Sequence, residues 1–351
     1  MNSPTSVSTS TPERTWTLRA REQAGPLGER VAQLAIFVLL AGMIVLFESR
    51  EPAFLNVANV FSILQAVAIV ALLAVGVTLT LAVGGFDLSC GSIAAFSQMA
   101  ASYILIVGHG SATAAVLGCV ALGVCAGLFN GLLIVRLRIP DQLATLGTLF
   151  LLAGLQLIPT GGRSLATGTT LPDGTVATGT FPSAFLALGR WRVFDIVPVP
   201  VIVLALVSLV LWFIMEHTRW GRVFYAIGGN ETAARLAGAP TRTYKAVAYA
   251  ASGAIAALGG VLLAARIGRG DVSVGNSMLL DAVAAALIGY AVWGVNRPNV
   301  LGTVIGAIFV GVLLNGLTML NAPYYTQDFV KGAILVGALA LTFSLSRKST
   351  R

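Results

Sequence analysis

Apolar positions in this chain do not alternate with polar ones; they run together. Ten stretches are predominantly apolar: roughly 31–48, 57–83, 91–108, 112–135, 142–159, 196–215, 246–267, 279–295, 300–320 and 328–346. Each approaches or exceeds the ~20 residues that an α-helix needs to cross a hydrocarbon core. The pattern predicts ten membrane-spanning helices. The second stretch is overlong, which predicts a tilt or a break in it.

Composition agrees. Of 351 residues, 56% are hydrophobic and 10% charged, against ~25% charged in ordinary soluble domains. The fold class expected is an all-α integral membrane protein. The net charge of +8 does not point to nucleic acid, because the basic residues lie at the ends of apolar runs, where topology places them. Cys90, Cys119 and Cys125 lie in or beside apolar runs and read as small buried hydrophobes. They have no disulfide or metal spacing, and His109 and His217 stand alone. No metal or cofactor is expected on this chain.

Basic residues set the orientation. With the N-terminus inside, 15 of the 22 Lys and Arg residues fall on the inner side and 6 on the outer. Lys331, near the outer end of the last stretch, is expected to snorkel. This bias predicts both termini in the cytoplasm. Residues 1–30, rich in Ser, Thr, Pro and Arg, lack the apolar core of a secretory signal and read as a disordered cytoplasmic tail. Residues 31–346 form one transmembrane domain, and 347–351 a second cytoplasmic tail. An outer loop, 161–195, rich in Gly, Thr and Pro, is expected to be irregular. An inner loop covers 216–245.

The chain repeats itself. "DLSCGS" begins at Asp87 and "DVSVGN" at Asp271; both fit Asp-x-Ser-x-Gly. A glycine follows each Asp by 31 residues, at Gly118 and Gly302, and opens a glycine-spaced stretch that closes on Asn-Gly-Leu at Asn130 and Asn315. The copies lie five spans apart, an odd number, which predicts an inverted 5+5 repeat with halves at about 31–160 and 196–346. Transporters built this way place their pathway at the repeat interface, often with interrupted helices.

Polar residues inside this frame are candidates for that pathway. A carboxylate facing lipid costs at least ~2.5 kcal/mol, so "GGFDLSCG" must lie against protein, a cavity or an interface. Gly84 and Gly85 permit a sharp change of direction. Asp87, helped by Ser89, then caps the next helix by accepting amide hydrogen bonds. A tight capped turn and a broken helix bordering a pathway are compatible readings. Asp271 and Ser273 are the matching pair. The glycines favour close helix packing. Asn130 and Asn315 need polar partners, either across helices or from a solute.

The inner loop carries its own helix signal. Asn230 suits an N-cap, Glu231 the first turn and Arg235 the last, with Gly238 ending the helix before Pro240. A helix over about 231–237 follows. Its apolar content, Ala234 and its fellow alanines with Leu236, anchors poorly in lipid and suits a groove on a partner protein.

At these residues the chain resembles a family. "GVTLTLAVGGFDLSCGS", "LATLGTLFLLAGL…TGGRS", "AIGGNETAARLAG" and "VLGTVIGAIFVGVLLNGL" are similar to the permease subunits of bacterial ribose/xylose/arabinose-type ABC importers. The match runs from about 35 to 345. The resemblance implies a multi-pass protein of the bacterial inner membrane, in a dimer with a second permease copy or paralogue. It implies two cytosolic subunits that bind ATP and Mg, an extracytoplasmic solute-binding protein, and a coupling helix at 230–238 seated on the ATPase. There are departures: "IGYAVWGVNRPNVLG" carries Tyr290, Val295 and Arg297-Pro298 where small residues are usual, the fifth span starts on Pro140-Asp141-Gln142, and the loop near 165–180 looks expanded. These leave the solute and the choice of homodimer or heterodimer open.

None of the three lysines follows a glycine, so the chain has no Gly-x4-Gly-Lys-Ser/Thr loop and cannot itself supply a P-loop. The expected function is import of a sugar or sugar-like solute, driven by ATP hydrolysis on a separate subunit, and not catalysis. The rival is an ion-coupled secondary transporter working through Asp87 or Asp271. An integral-membrane enzyme fits poorly, because no acid, His or Cys cluster faces one leaflet.

Overall fold

The computed structural model describes residues 26–292, 297–333 and 336–337. The expected tails therefore lie outside the described residues, except that a helix, α1, already begins at Pro26 and runs to Arg50. Then follow α2 (Val57–Ala82), α3 (Cys90–Ser102, extended by a π turn over Tyr103–Val107), α4 (Ala112–Val135) and α5 (Asp141–Leu155). A short helix α6 (Ser183–Arg190) and a two-residue hairpin, β1 (Arg192–Val193) with β2 (Val197–Pro198), lead into α7 (Val199–His217). The inner loop holds α8 (Arg219–Gly229) and α9 (Glu231–Leu236). Next are α10 (Thr241–Ile267), α11 (Val274–Val292) and α12 (Val300–Met319). A helix over 324–333, here α13, closes the described part.

Seven helices among the described residues are long and apolar enough to cross a membrane: α2, α3 with its π turn, α4, α5 with the 3-10 turn that follows it, α7, α10 and α12. The chain is a multi-pass membrane protein. Its outer surface agrees, since Leu117, Phe129, Leu143, Phe150, Leu206, Leu209 and Phe213 of α4, α5 and α7 all face outward. An apolar surface of this extent is what contact with lipid requires.

α2 and α10 are the central helices. From Val67 to Val83 nearly every side chain of α2 is buried, as expected of a helix apolar all round. The overlong second stretch is thus one uninterrupted helix, and the break falls after it.

Lipid supplies little hydrophobic drive for helix association, so close backbone contact must do the joining. Gly123 and Gly127 of α4 lie on the backbone of α10 at Gly253 and Tyr249, with no room for a side chain. In the second half Gly302 and Gly306 of α12 lie on α11 at Gly289 and Ala285 in the same way. The glycine spacing is therefore a packing device in both halves.

The outer loop is irregular up to Pro182, as expected, but not beyond. Phe185 of α6 is fully buried, in a cluster with Val261 and Ala264 of α10, and this contact fixes the helix.

Candidate functional site

The segment between α2 and α3 is a break held by a set of polar groups. α2 ends in a Schellman turn: Gly84 N–H donates to Leu81 O at 3.0 Å and Gly85 N–H to Thr80 O at 2.8 Å. The turn requires Gly84 at φ 76°, which explains that glycine. Gly85 is required for a different reason. Its Cα faces the Tyr249 hydroxyl, which donates to Asp141 Oδ2 at 2.7 Å, and no side chain fits between.

Asp87 follows, fully buried. Its Oδ1 accepts from Ser89 N at 2.8 Å and from Ser89 Oγ at 2.6 Å; its Oδ2 accepts from Ser252 Oγ of α10 at 2.8 Å. No cation pairs with it among the described residues. Asp87 therefore does not cap α3 through the amides of its first turn. Ser89 holds the N-cap position but makes no side-chain cap bond, because its hydroxyl donates to Asp87. The chain of bonds continues outward. Asn130 Nδ2 donates to Ser89 Oγ at 2.8 Å, and Thr148 Oγ1 of α5 donates to Asn130 Oδ1 at 2.6 Å. Four elements are thus tied through one buried network.

Asn315 also bonds across helices. It exchanges two amide hydrogen bonds with Asn59 of α2, at 3.0 and 3.1 Å. Both asparagines have cross-helix partners; Asn59 and Thr148, like Ser252 at Asp87, were not legible beforehand. Each is a small polar residue inside an apolar run, a signal too common to single one out.

The second Asp-x-Ser repeats the local geometry in another environment. Asp271 Oδ1 accepts from Ser273 N at 3.0 Å and from Ser273 Oγ at 2.7 Å. Asp271 is partly exposed and pairs with Arg269 at 2.9 Å. The Ser273 amide first, then its hydroxyl and Arg269, hold the carboxyl below its ordinary range. The stabilisation this gives is present above the ordinary carboxylate pKa of ~3.9 and is lost as pH falls through the lower folded-state value. The pH profile of transport between ~5 and 8 is therefore expected to have the same shape in Asp271→Asn as in the native chain.

The two copies also meet. Four residues after each Asp, Gly91 rests on the carbonyl oxygen of Gly275. Gly91 further faces Leu279 and Gly275 faces Ala95, each eight residues after its own Asp. The contact is reciprocal, as at a two-fold axis.

The inner loop reaches this break directly. α9 forms as expected, one residue shorter. Asn230 Oδ1 accepts from Ala233 N at 2.9 Å, Glu231 receives Lys245 Nζ at 2.7 Å, and Gly238 ends the helix at φ 87°. Ala234 packs inward, while Leu236 is 83% exposed and Arg235 points to solvent. Beside α9 lies a groove of about 800 Å³ lined by Arg138, Asp141, Glu231, Arg235, Arg242 and Lys245, among others.

The helix before it, α8, was not expected. Its Phe224 and Ile227 are buried at helical spacing, a signal obscured by the three glycines of "GRVFYAIGG". Gly228 of α8 lies on Ala82 O and against Gly84, so the inner loop seats on the broken segment. Arg297 adds a second tie. It pairs with Glu216 at 2.8 Å and lies over the Tyr225 ring at 4.8 Å, while Tyr225 Oη donates to Pro298 O at 3.0 Å. Burial first, then Glu216, push the Tyr225 phenol up to about 12, so it remains a donor. Arg297-Pro298, which departs from the family pattern, thus joins the inner loop to α12. Val295 lies outside the described residues.

One expectation about charge is corrected. Lys331 does not snorkel; its Nζ lies 3.0 Å from Asp281 Oδ1 of α11. Asp281 is a carboxylate within an apolar run, the kind of residue that is a functional candidate by default, and sequence reasoning passed over it.

Removal of the Asp87 carboxylate should be felt in stability. Asp87→Leu leaves the Ser89 and Ser252 donors without an acceptor, at ~1–3 kcal/mol for each group left unsatisfied. Thermal unfolding in mild detergent is expected to fall by several degrees, and Asp87→Asn, which keeps an acceptor, by less. An Asp87→Leu protein that unfolds with the native chain would show that the network carries no stability.

The geometry is that of a helical membrane scaffold with an inner loop seated on a polar break. Residues 59–339 match the family described as branched-chain amino acid transport system / permease component, and the chain belongs to that family. It is similar to the ribose import permease protein RbsC of Escherichia coli strain K12, 34% identical over 313 residues, 89% of this chain and 93% of the relative. RbsC of Bacillus subtilis strain 168 is 34% identical over 309 residues, 88% and 92% of the two chains. The autoinducer 2 import system permease protein LsrC of Yersinia pseudotuberculosis is 33% identical over 315 residues, 89% and 83%. No solved structure matches.

Proposed function

We propose that this chain is the membrane permease of an ATP-driven importer of a sugar or sugar-like solute in a bacterial inner membrane. It works as a dimer with a second permease, two cytosolic ATP-binding subunits carrying ATP and Mg, and an extracytoplasmic solute-binding protein. Ten helices cross the membrane as an inverted 5+5 repeat with both termini in the cytoplasm. The reciprocal contact of Gly91 with Gly275 and the matched Asp-x-Ser turns support the repeat. The ribose permeases among its relatives support a sugar.

The observation that carries the reading is the contact of Gly228 with Ala82 and Gly84. A force applied at α9 from below reaches the break at Asp87 through one short rigid helix. In the proposed cycle the loaded binding protein docks on the outer loops. ATP closes the ATPases, α9 follows them, and the α2–α3 break shifts against α10, opening the inner side.

The ion-coupled rival needs a carboxylate that solvent reaches and that stands ready to titrate. Asp87 is sealed by three hydrogen bonds and Asp271 is tied to Arg269, which favours the importer. Uptake of radiolabelled sugar into proteoliposomes holding the complete complex tests the choice. Uptake that requires internal ATP and survives collapse of the ion gradients is expected; uptake by the permease alone, abolished by an ionophore, would refute the importer reading.

A further inference from the structure

The groove beside α9 gathers charge of one sign. Its volume is about 800 Å³, and its lining includes four basic side chains, Arg138, Arg235, Arg242 and Lys245, against two acidic ones, Asp141 and Glu231. Lys245 is paired with Glu231 at 2.7 Å, and Asp141 accepts from the Tyr249 hydroxyl. The three arginines have no hydrogen-bond or ion-pair partner among the described residues. Like charges gathered round one opening repel one another and attract an anion. Arg138 is held there at φ 59°, a left-handed backbone that glycine adopts freely and an arginine rarely does.

The same groove borders the apolar surface. It lies where α4 ends and α5 and α10 begin, and Ile134 and Ile139 form part of its wall. Leu137 and Leu143, which flank lining residues in the chain, are exposed, as are the outward residues of α4 and α5.

We propose that this groove holds the phosphate headgroup of an anionic phospholipid, bound by Arg138 and Arg242, with the acyl chains lying on α4 and α5. A guanidinium offers a planar fork that matches phosphate oxygens. Basic pockets between membrane helices at the bilayer surface suit such headgroups. A soluble anion would use the arginines and leave Leu137 and Leu143 in water; an amphiphile uses both. Arg235 lines the groove from α9, so the lipid touches the inner loop and the helix bundle together. The site stands apart from the importer reading, since binding is measured on the chain itself.

The full-length chain in mild detergent, equilibrated with mixed micelles of equal parts phosphatidylcholine and phosphatidylglycerol, tests this through the lipid retained in native mass spectrometry. Phosphatidylglycerol is expected to be retained in preference. The preference is expected to fall about fivefold in Arg138→Gly and by a similar factor in Arg242→Gln, the effect of one cation lost at a membrane surface. Arg138→Gly relaxes the backbone, so a fall in retention with undiminished thermal stability separates a lost ligand from a misfolded protein. Arg136 is exposed two residues away and does not line the groove; Arg136→Gln is expected to change retention little. Equal retention of the two lipids, native preference in both groove variants, or an equal fall in Arg136→Gln would reduce the groove to general surface charge and overturn the site. Loss of the preference in excess inorganic phosphate would assign the groove to a soluble anion. Loss of the lipid from the complex with its ATPase would assign it to a protein partner. Either result overturns the lipid.

Discussion

Replacing Gly127 with leucine is expected to remove folded protein from the membrane, and replacing Gly147 with leucine is expected to leave it there. Both glycines lie in apolar helices, α4 and α5, and composition does not distinguish them. Packing does. A Cβ at Gly127 would press on the Tyr249 carbonyl oxygen and lie 2.7 Å from Ala250 Cα, whereas a Cβ at Gly147 would meet nothing within 4 Å. An added methylene in a well-packed core costs ~1–3 kcal/mol when neighbouring side chains can move. At Gly127 the neighbour is helix backbone, so α4 as a whole must move away from α10. That movement also pulls Asn130, one turn further along, from Ser89 and Thr148. The yield of monodisperse protein by size exclusion checks this. Equal yields from the two variants would mean that α4 and α10 are not joined as described.

The second large effect is expected at Leu236. This side chain is 83% exposed at the end of a capped six-residue helix, and nothing among the described residues covers it. Burying a leucine at an interface is worth ~1.5–3 kcal/mol, or roughly 10- to 100-fold in an affinity. Leu236→Asp removes that and adds a charge to the contact. ATP-driven uptake is expected to fall at least tenfold with the permease still folded, and binding of the ATPase to weaken by a similar factor. Asn230→Ala, which removes the cap and costs ~1 kcal/mol of helix stability, is expected to give a smaller loss in the same direction.

What could be read in the sequence followed from length and from local chemistry. Runs of about 20 apolar residues marked the helices, because lipid demands that every backbone group be bonded within the helix. The α9 helix was legible because Asn230 and Gly238 act within a few residues of themselves. The break at Gly84–Ser89 was legible as a feature, but not its bonding. Asp87 was expected to accept amides at the start of α3; it accepts one, from Ser89, and is held further by the Ser89 hydroxyl and by Ser252, a partner 165 residues away. Lys331 was read as a snorkelling residue for the same reason, since Asp281 is on a different helix. α8 was missed although its buried positions fall at helical spacing, because glycine is a poor helix former and argued for a loop. Gly221 and Gly228 are present for contact, one against Met215 and one against Ala82, and not for flexibility.

The central claim is that an ATPase acts on the α2–α3 break through the inner loop. The most direct test is disulfide or short-linker cross-linking between a cysteine at Leu236 and the co-purified cytosolic ATPase, in membranes with and without ATP, read together with labelling of a cysteine placed at Gly229. The account predicts a stoichiometric ATPase cross-linked at Leu236→Cys, and a labelling rate at Gly229→Cys that changes when ATP is bound. A permease that purifies alone, with no cross-linked partner and the same labelling rate in both conditions, would contradict it.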